Sequence, residues 1–323
     1  MKLLQSLFVI TSLVVTTTCV AAEPLASWQE GARKNTIIEF VKKTTTEGSK
    51  DFIAVADRVA VFDNDGTLWA EQPAYFQLFF ALSQVKQLAP DNPQWKTTQP
   101  YADILQGKIP AHMTEKDLIE LVMNTHAGMT SEVFTQQVSS WMSLAKHPIT
   151  KKPFTDMVYQ PMLELLTYLR EHDYKTFIVS GGGVEFMRAW APDVYGIPAE
   201  QIIGSRIASE YKVIDGVPKI VRLPELEFNN DKAGKPIGIY NAIGKRPIIA
   251  VGNSDGDRAM LEWTTAGAES RLGVIVHHTD KEREWAYDKD SKIGKLDKAL
   301  IQAEKENWLV VDMKNDWSVV YKK

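Results

Sequence analysis

The sequence predicts an α/β fold: a doubly wound parallel sheet with a helical cap inserted after its first strand. Three observations carry this expectation. Short apolar runs at 59–62, 176–179, 247–251, 272–276 and 308–311 alternate with segments of helical periodicity, as parallel strands buried on both faces do. Several of these runs end in clusters of Asp, Asn, Ser and Gly, at the strand ends where open α/β sheets bind ligands. Residues 72–150 have a helical texture, broken by one stretch rich in Pro and Asn.

A chain of 323 residues can hold one large α/β domain and an insertion. Hydrophobic residues at 44% and charged residues at 24% are globular proportions, so a packed core is expected. The formal net charge of −4 leaves no basic footprint for nucleic acid. An anionic ligand therefore needs positive charge placed locally, by a few Lys or Arg residues or by a metal.

Residues 1–22 stand apart. Lys2 is the one charge, residues 3–20 are mostly apolar or Thr, and Val20-Ala21-Ala22 ends in small residues. This pattern predicts a secretory signal peptide, hence a periplasmic or secreted product with no membrane attachment once the leader is removed. Cys19 is the single cysteine, so the processed chain has neither disulfide nor thiol chemistry.

In chain order, Ser27-Trp28-Gln29-Glu30 has capping-box spacing and predicts a helix over 27–46. The first strand, 59–62, follows. Helices are expected over 74–88, from Thr114, and from Thr130 or Ser131 to about 146, with 89–110 as a loop. A helix over 158–171 returns the chain to the sheet, and the strand 176–179 comes next. Helices over 184–190 and 237–243 flank alternating segments, 202–207 and 211–214, around Asp215-Gly216, which predict a hairpin. The resulting division is a core of 23–71 and 151–323 with a cap of 72–150.

The chemistry-bearing residues sit at strand ends. Asp63-Asn64-Asp65-Gly66-Thr67 directly follows the first strand. In an extended chain Asp63 and Asp65 lean to one side and can share a divalent cation. Ser180-Gly181-Gly182-Gly183 follows 176–179 and predicts a turn whose hydroxyl and N–H groups bind an anion at a helix start. Lys235-Pro236 precedes the helix 237–243, and Pro suits a first turn; Lys232 is the alternative lysine. Gly252-Asn253-Ser254-Asp255-Gly256-Asp257 follows 247–251.

Taken in order, these four segments resemble the motifs of the haloacid-dehalogenase-like (HAD) phosphohydrolases, with the phosphoserine phosphatases as the most similar layout. The resemblance covers roughly 50–67 and 156–278. It implies that Asp63 attacks phosphorus to form an aspartyl-phosphate, and that Asp65 protonates the leaving group and then activates water. Such roles suit a carboxylate nucleophile beside a proton carrier. It further implies that Ser180, Gly181 and Gly182 bind phosphate, and that Lys235 neutralises its charge. A Mg²⁺ ion is implied, held by Asp63, Asp65 through its carbonyl, and the loop bearing Asn253 and Asp257. Asn253 stands where the family usually has Asp, and the choice among Asn253, Asp255 and Asp257 stays open. An acid at Asp65 points to phosphomonoester hydrolysis of small, soluble phosphoesters. A phosphotransferase or mutase, and a catalytically impaired phospho-ligand-binding protein, remain alternatives.

Four further expectations are thinner. Glu71 stands where phosphoserine phosphatases have a Glu that meets the substrate amine, which makes it a candidate specificity residue. Trp69, Tyr75 and Phe76 either pack or line a pocket. His277-His278 fall at a strand end near the site. Met123, Met129 and Met142 read as core filler.

Overall fold

The computed structural model describes residues 23–110, 113–267 and 270–322. Residues 1–22, on which the expected signal peptide and Cys19 fall, lie outside them. No helix among the described residues is long and apolar enough to cross a membrane.

Seven strands form one sheet: β1 (Val59–Phe62), β2 (Lys175–Gly183), β3 (Ile202–Ile214), β4 (Val217–Phe228), β5 (Ile249–Gly252), β6 (Leu272–His277) and β7 (Leu309–Asp312). Their order is β4-β3-β2-β1-β5-β6-β7. All neighbours run parallel except β3 and β4. The chain first builds outward from β1 through β2 and β3, then returns to lay β5, β6 and β7 on the other side. β1 is therefore the switch point, and residues just past its carboxyl end fall in the crevice where such sheets bind ligands.

Period-two alternation splits the strand side chains between two layers. Ala60 and Phe62 pack with Ile178, Val251 and Val274 on one face. Val59 and Val61 pack with Val179, Ala250 and Ile275 on the other. A third, smaller core of Ala81, Leu82, Val85, Trp95, Tyr101, Ile104 and Leu121 lies within the helical insertion.

Several elements differ from expectation. The first helix spans Ala32–Thr45, because Ser27 does not cap it: its N–H and hydroxyl both donate to Glu164, each at 2.7 Å. Glu30 instead pairs with Lys34. The expected loop 89–110 contains a short helix, Tyr101–Leu105, anchored where Tyr101 stacks on Trp95 at 4.5 Å between ring centroids. The segments 202–207 and 211–214 are one continuous strand whose start pairs parallel with β2, so the sheet has a sixth parallel strand. Its hairpin partner begins after Asp215 and Gly216, both with positive φ, 51° and 76°, the geometry of the tight turn that suits paired strands. The helix expected over 184–190 is two short ones, Val184–Arg188 and Ala191–Tyr195. Other readings agree: Thr114 closes a capping box with Asp117 on helix Glu115–His126, and Thr130 caps Ser131–Leu144.

The helices of the insertion meet the outer part of the hairpin. Gly128 N–H donates to Arg222 O and Arg222 N–H to Met129 O, each at 2.9 Å. Arg222 is buried, pairs with Glu185 and lies 3.9 Å over the Phe134 ring.

Candidate active site

Asp63 extends the ladder beyond β1, its N–H donating to Val251 O at 2.9 Å. The chain then turns over Gly66, which has φ +76°. A Cβ there would lie 2.0 Å from Asn253 Nδ2 and 2.3 Å from Glu71 Oε1, so both backbone angle and space demand glycine. Asn64 O accepts the N–H groups of Thr67 and Leu68, and the Asn64 side chain accepts from the Tyr195 hydroxyl at 3.1 Å. The loop is held from both sides.

Lys235 reaches Asp63 from helix Gly234–Ile243. This helix begins before Lys235, earlier than expected, and puts the ammonium within its first turn. Its Nζ contacts Asp63 Oδ1, lies 2.6 Å from Asp257 Oδ1 and donates to Val179 O at 3.0 Å. All three donor directions are used, a geometry that fixes an otherwise flexible point charge. Burial opposes the charge on Lys235, but the carboxylates of Asp257 and Asp63 outweigh it and hold the amine protonated. Burial and then Asp257 push the Asp63 carboxyl up, against the pull of Lys235. Lys232 is exposed and paired with Asp231 at 3.5 Å. The two alternatives separate cleanly in favour of Lys235.

The acidic loop after β5 divides its labour. Asp257 gives its second oxygen to the N–H groups of Asn253 and Ser254, both at 2.9 Å. With its other oxygen on Lys235, it positions the lysine and the loop, and both its oxygens are taken up by donors rather than offered to a cation. Asp255 faces away, accepting the N–H groups of Asp297 at 3.1 Å and Ala299 at 2.8 Å, so it caps the helix Lys298–Glu306. Asn253 is the one of the three whose side-chain oxygen shares the Thr67 hydroxyl with Asp63. Thr67 Oγ1 lies 3.2 Å from Asn253 Oδ1 and 3.4 Å from Asp63 Oδ2.

Glu71 sets that orientation. Its Oε1 accepts from Asn253 Nδ2 at 2.7 Å and from the Tyr287 hydroxyl at 2.8 Å. With the amide nitrogen committed to Glu71, the amide oxygen is turned toward Asp63 and Thr67. Gly294 leaves room for this contact, since a Cβ there would fall 1.8 Å from Glu71 Oε1. Glu71 is 2% exposed, and burial pushes its carboxyl well up while Tyr287 opposes the shift. An amine-recognising Glu needs a free face toward the substrate. Glu71 lines the cavity, and its two donors, both on Oε1, tie that oxygen to Asn253 and Tyr287.

Asp65 lines the cavity beside Asp63. Trp69, stacked on Trp190 at 4.1 Å, donates its Nε1–H to Asp65 Oδ1 at 2.9 Å. Burial raises the Asp65 carboxyl, with Trp69 opposing, which suits a group that must hold and release a proton.

The Ser180 segment is not a turn. β2 runs on through Gly183 with a bulge after Val179. Ser180 Oγ accepts Gly182 N–H at 2.9 Å, and Gln77 Oε1 accepts Gly183 N–H at 2.8 Å. The helix that follows has five residues, and the N–H groups expected for an anion are in part engaged internally. Ser180, Gly181 and Gly182 nevertheless line the same cavity as Asp63, Asp65 and Lys235.

His278 serves the loop from behind. Its Nε2 is 2.7 Å from Gly66 O and its Nδ1 is 3.2 Å from Glu284. Phe76 is buried with Trp69, whereas Tyr75 is part-exposed and lines the cavity, as does Met123; Met142 is buried in the core. The residues missed at the level of sequence are Trp69 as a holder of Asp65, Gln77, and Tyr287 with Gly294. Gln77 and Tyr287 act through contacts across long stretches of chain, whereas Trp69 meets Asp65 four residues away.

The sequence model of haloacid dehalogenase-like hydrolases matches residues 60–262, which spans all four motif segments. The chain belongs to this family. Comparison with curated protein sequences gives no match. Among solved structures, a protein of unknown function from Bordetella pertussis Tohama I is similar at 13% identity and TM-score 0.46, with 79% of this chain and 98% of that one covered. A phosphoserine phosphohydrolase-like protein from Francisella tularensis subsp. tularensis SCHU S4 is 14% identical over 79% of this chain and 94% of its own, at TM-score 0.38. A phosphoserine phosphatase in a phospho-aspartyl intermediate analogue form is 18% identical over 77% and 98%, at TM-score 0.34. Membership of the HAD family rests on the model match, not on these distant likenesses.

Proposed function

We propose that this HAD protein is a Mg²⁺-dependent phosphomonoester hydrolase acting on small phosphoesters through an aspartyl-phosphate. The observation that carries the reading is the contact of a buried, charged Lys235 with Asp63, two residues from a second carboxyl, Asp65, whose proton affinity is raised.

Asp63, Asn253 and the carbonyl of Asp65 make an all-oxygen donor set, which suits a hard divalent cation. Glu71 holds the Asn253 amide nitrogen, which leaves its oxygen on the side of Thr67, the hydroxyl it shares with Asp63. Such an ion, when bound, supplies electrostatic stabilisation to the phosphoryl oxygens. The chain's own residues do the rest. Lys235 presents a fixed positive charge to the incoming anion, and Ser180 lines its seat. An Asp63 carboxylate oxygen attacks phosphorus, the ester P–O bond breaks, and Asp65 gives its proton to the departing alkoxide. Asp65, now ionised, takes a proton from a water that attacks the phosphorus of the aspartyl-phosphate. Inorganic phosphate leaves and Asp63 is regenerated.

The experiment is phosphate release from phenyl phosphate by the purified protein, with Mg²⁺ and with EDTA. The reading expects Mg²⁺-stimulated release that EDTA abolishes. Phosphate release indifferent to chelation removes the Mg²⁺ assignment, and absence of release with every phosphoester removes the hydrolase. The leader at 1–22 supports a periplasmic or secreted location. N-terminal sequencing of the mature protein tests it, with a start near Glu23 expected and a start at Met1 counting against it.

A further inference from the structure

Behind the catalytic residues the cavity continues, with a volume of ≈ 420 Å³, inside the usual range for small-molecule sites and much larger than a phosphoryl group requires. Its far walls come from three places. Leu78 stands on helix Phe76–Leu88, Leu118, Leu121 and Val122 on helix Glu115–His126, and Ile207 and Leu226 on the β3–β4 hairpin. Leu118 is 36% exposed, an apolar cost left uncovered on a wall that faces the site.

Many of the polar groups around this space are already committed. Gln77 holds Gly183 N–H with its oxygen, and its amide nitrogen lies 3.3 Å from His126 Nε2. His126 in turn meets Thr125 Oγ1 at 2.7 Å. Arg206 pairs with Glu227 at 3.5 Å and stacks on Phe228, while Lys232 pairs with Asp231. Glu71 is taken by Asn253 and Tyr287. Among the described lining residues beyond the catalytic group, each charged side chain has a partner, so an ammonium or carboxylate on the substrate's alcohol would have to compete with one of these pairs.

We propose that the cavity selects phosphomonoesters of apolar alcohols, alkyl or aryl, with the hydrocarbon lying against Leu118, Val122, Ile207 and Leu226. This inference rests on the phosphatase reading of the same site. Burial of apolar surface drives the preference, and each methylene fully removed from water should raise kcat/KM about fourfold. Amino-acid phosphates gain nothing comparable, because their charged groups would have to be stripped of water against this wall without a partner.

The test is kcat/KM with Mg²⁺ for ethyl, butyl, hexyl and octyl phosphate, kept below micelle formation, beside phosphoserine and phosphoethanolamine. The expected result is a rise with chain length across the series and a preference of at least about tenfold for hexyl phosphate over phosphoserine. Leu118→Gln and Val122→Gln should flatten the dependence on chain length. Turnover with a flat series, or with phosphoserine preferred, overturns the pocket inference alone. Failure to hydrolyse any ester overturns the phosphatase reading instead. Calorimetric affinities of the matching alkylphosphonates then decide the pocket, a rise with chain length supporting it and a flat series overturning it.

Discussion

At one end of the cavity each working side chain has a directional partner: Lys235 on Asp63, Asp257 and Val179 O, Asp65 on Trp69, Asn253 on Glu71. At the other end Leu118, Val122, Ile207 and Leu226 offer only shape and apolar surface. The first end sits largely on loops that leave a shared sheet at one level, so short chain segments place its groups. The second is assembled from an insertion and a hairpin that meet edge to edge. Rigid hydrogen-bonded placement suits bond-making, where small displacements are costly. A wall without directional bonds tolerates variation in the hydrocarbon it receives.

Substitutions can break this contrast, beginning with the largest effect. Asp63→Asn removes the nucleophile while keeping the shape, and phosphate release should fall by at least about 10⁴-fold; activity within tenfold of the parent would contradict its role. Asp257→Ala frees Lys235 from one of its two carboxylates and strips the acceptor from two loop N–H groups. A loss of about 10²- to 10³-fold in kcat/KM is expected, read from steady-state kinetics at saturating Mg²⁺. Glu71→Met removes the acceptor that orients Asn253, and Mg²⁺ affinity by calorimetry should weaken about 10- to 100-fold. Glu71→Gln keeps an acceptor and should retain most of it. Equal loss in both variants would mean that charge, not orientation, is what Glu71 provides.

The smallest effect concerns stability rather than turnover. His126 lies in the insertion, where burial and then Arg222 hold its ring near a pKa of about 3, against about 6.5 when unfolded. Between those values the unfolded chain binds a proton that the folded chain does not, so stability falls as pH drops from about 6.5 toward 3. On moving from pH 7 to pH 5 the parent should lose about 2 kcal/mol more stability to urea than His126→Gln does. An identical pH response in the two proteins would show that the ring is not held neutral.

Much of the directional end was legible in the sequence, because its residues follow apolar strand runs or, for Lys235, open a helix. Asp63, Asp65, Ser180, Lys235 and Asn253 all fall within three residues of an element that periodicity identifies. The hairpin at Asp215-Gly216 was equally local. What stayed hidden depends on partners distant in sequence. Glu71 reads as a free acid until Tyr287 and Gly294 are brought beside it by a segment with no regular structure. Asp255 and Asp257 are indistinguishable by spacing, and separate only because Asp297 and Ala299 claim one and Lys235 the other. Ser27 had the pattern of a cap, yet Glu164 offered it a better acceptor from another helix. The apolar wall was illegible for the same reason: Leu118 and Leu226 each look like ordinary amphipathic positions until the hairpin folds over the insertion.

The aspartyl-phosphate itself can be trapped. Enzyme quenched in acid during turnover of phenyl phosphate, then reduced with borohydride, should yield homoserine at position 63 by peptide mass spectrometry, because borohydride reduces an acyl phosphate and leaves a free carboxylate intact. Continued phosphate release with position 63 recovered only as aspartate, and the modification absent or on another residue, would contradict the account.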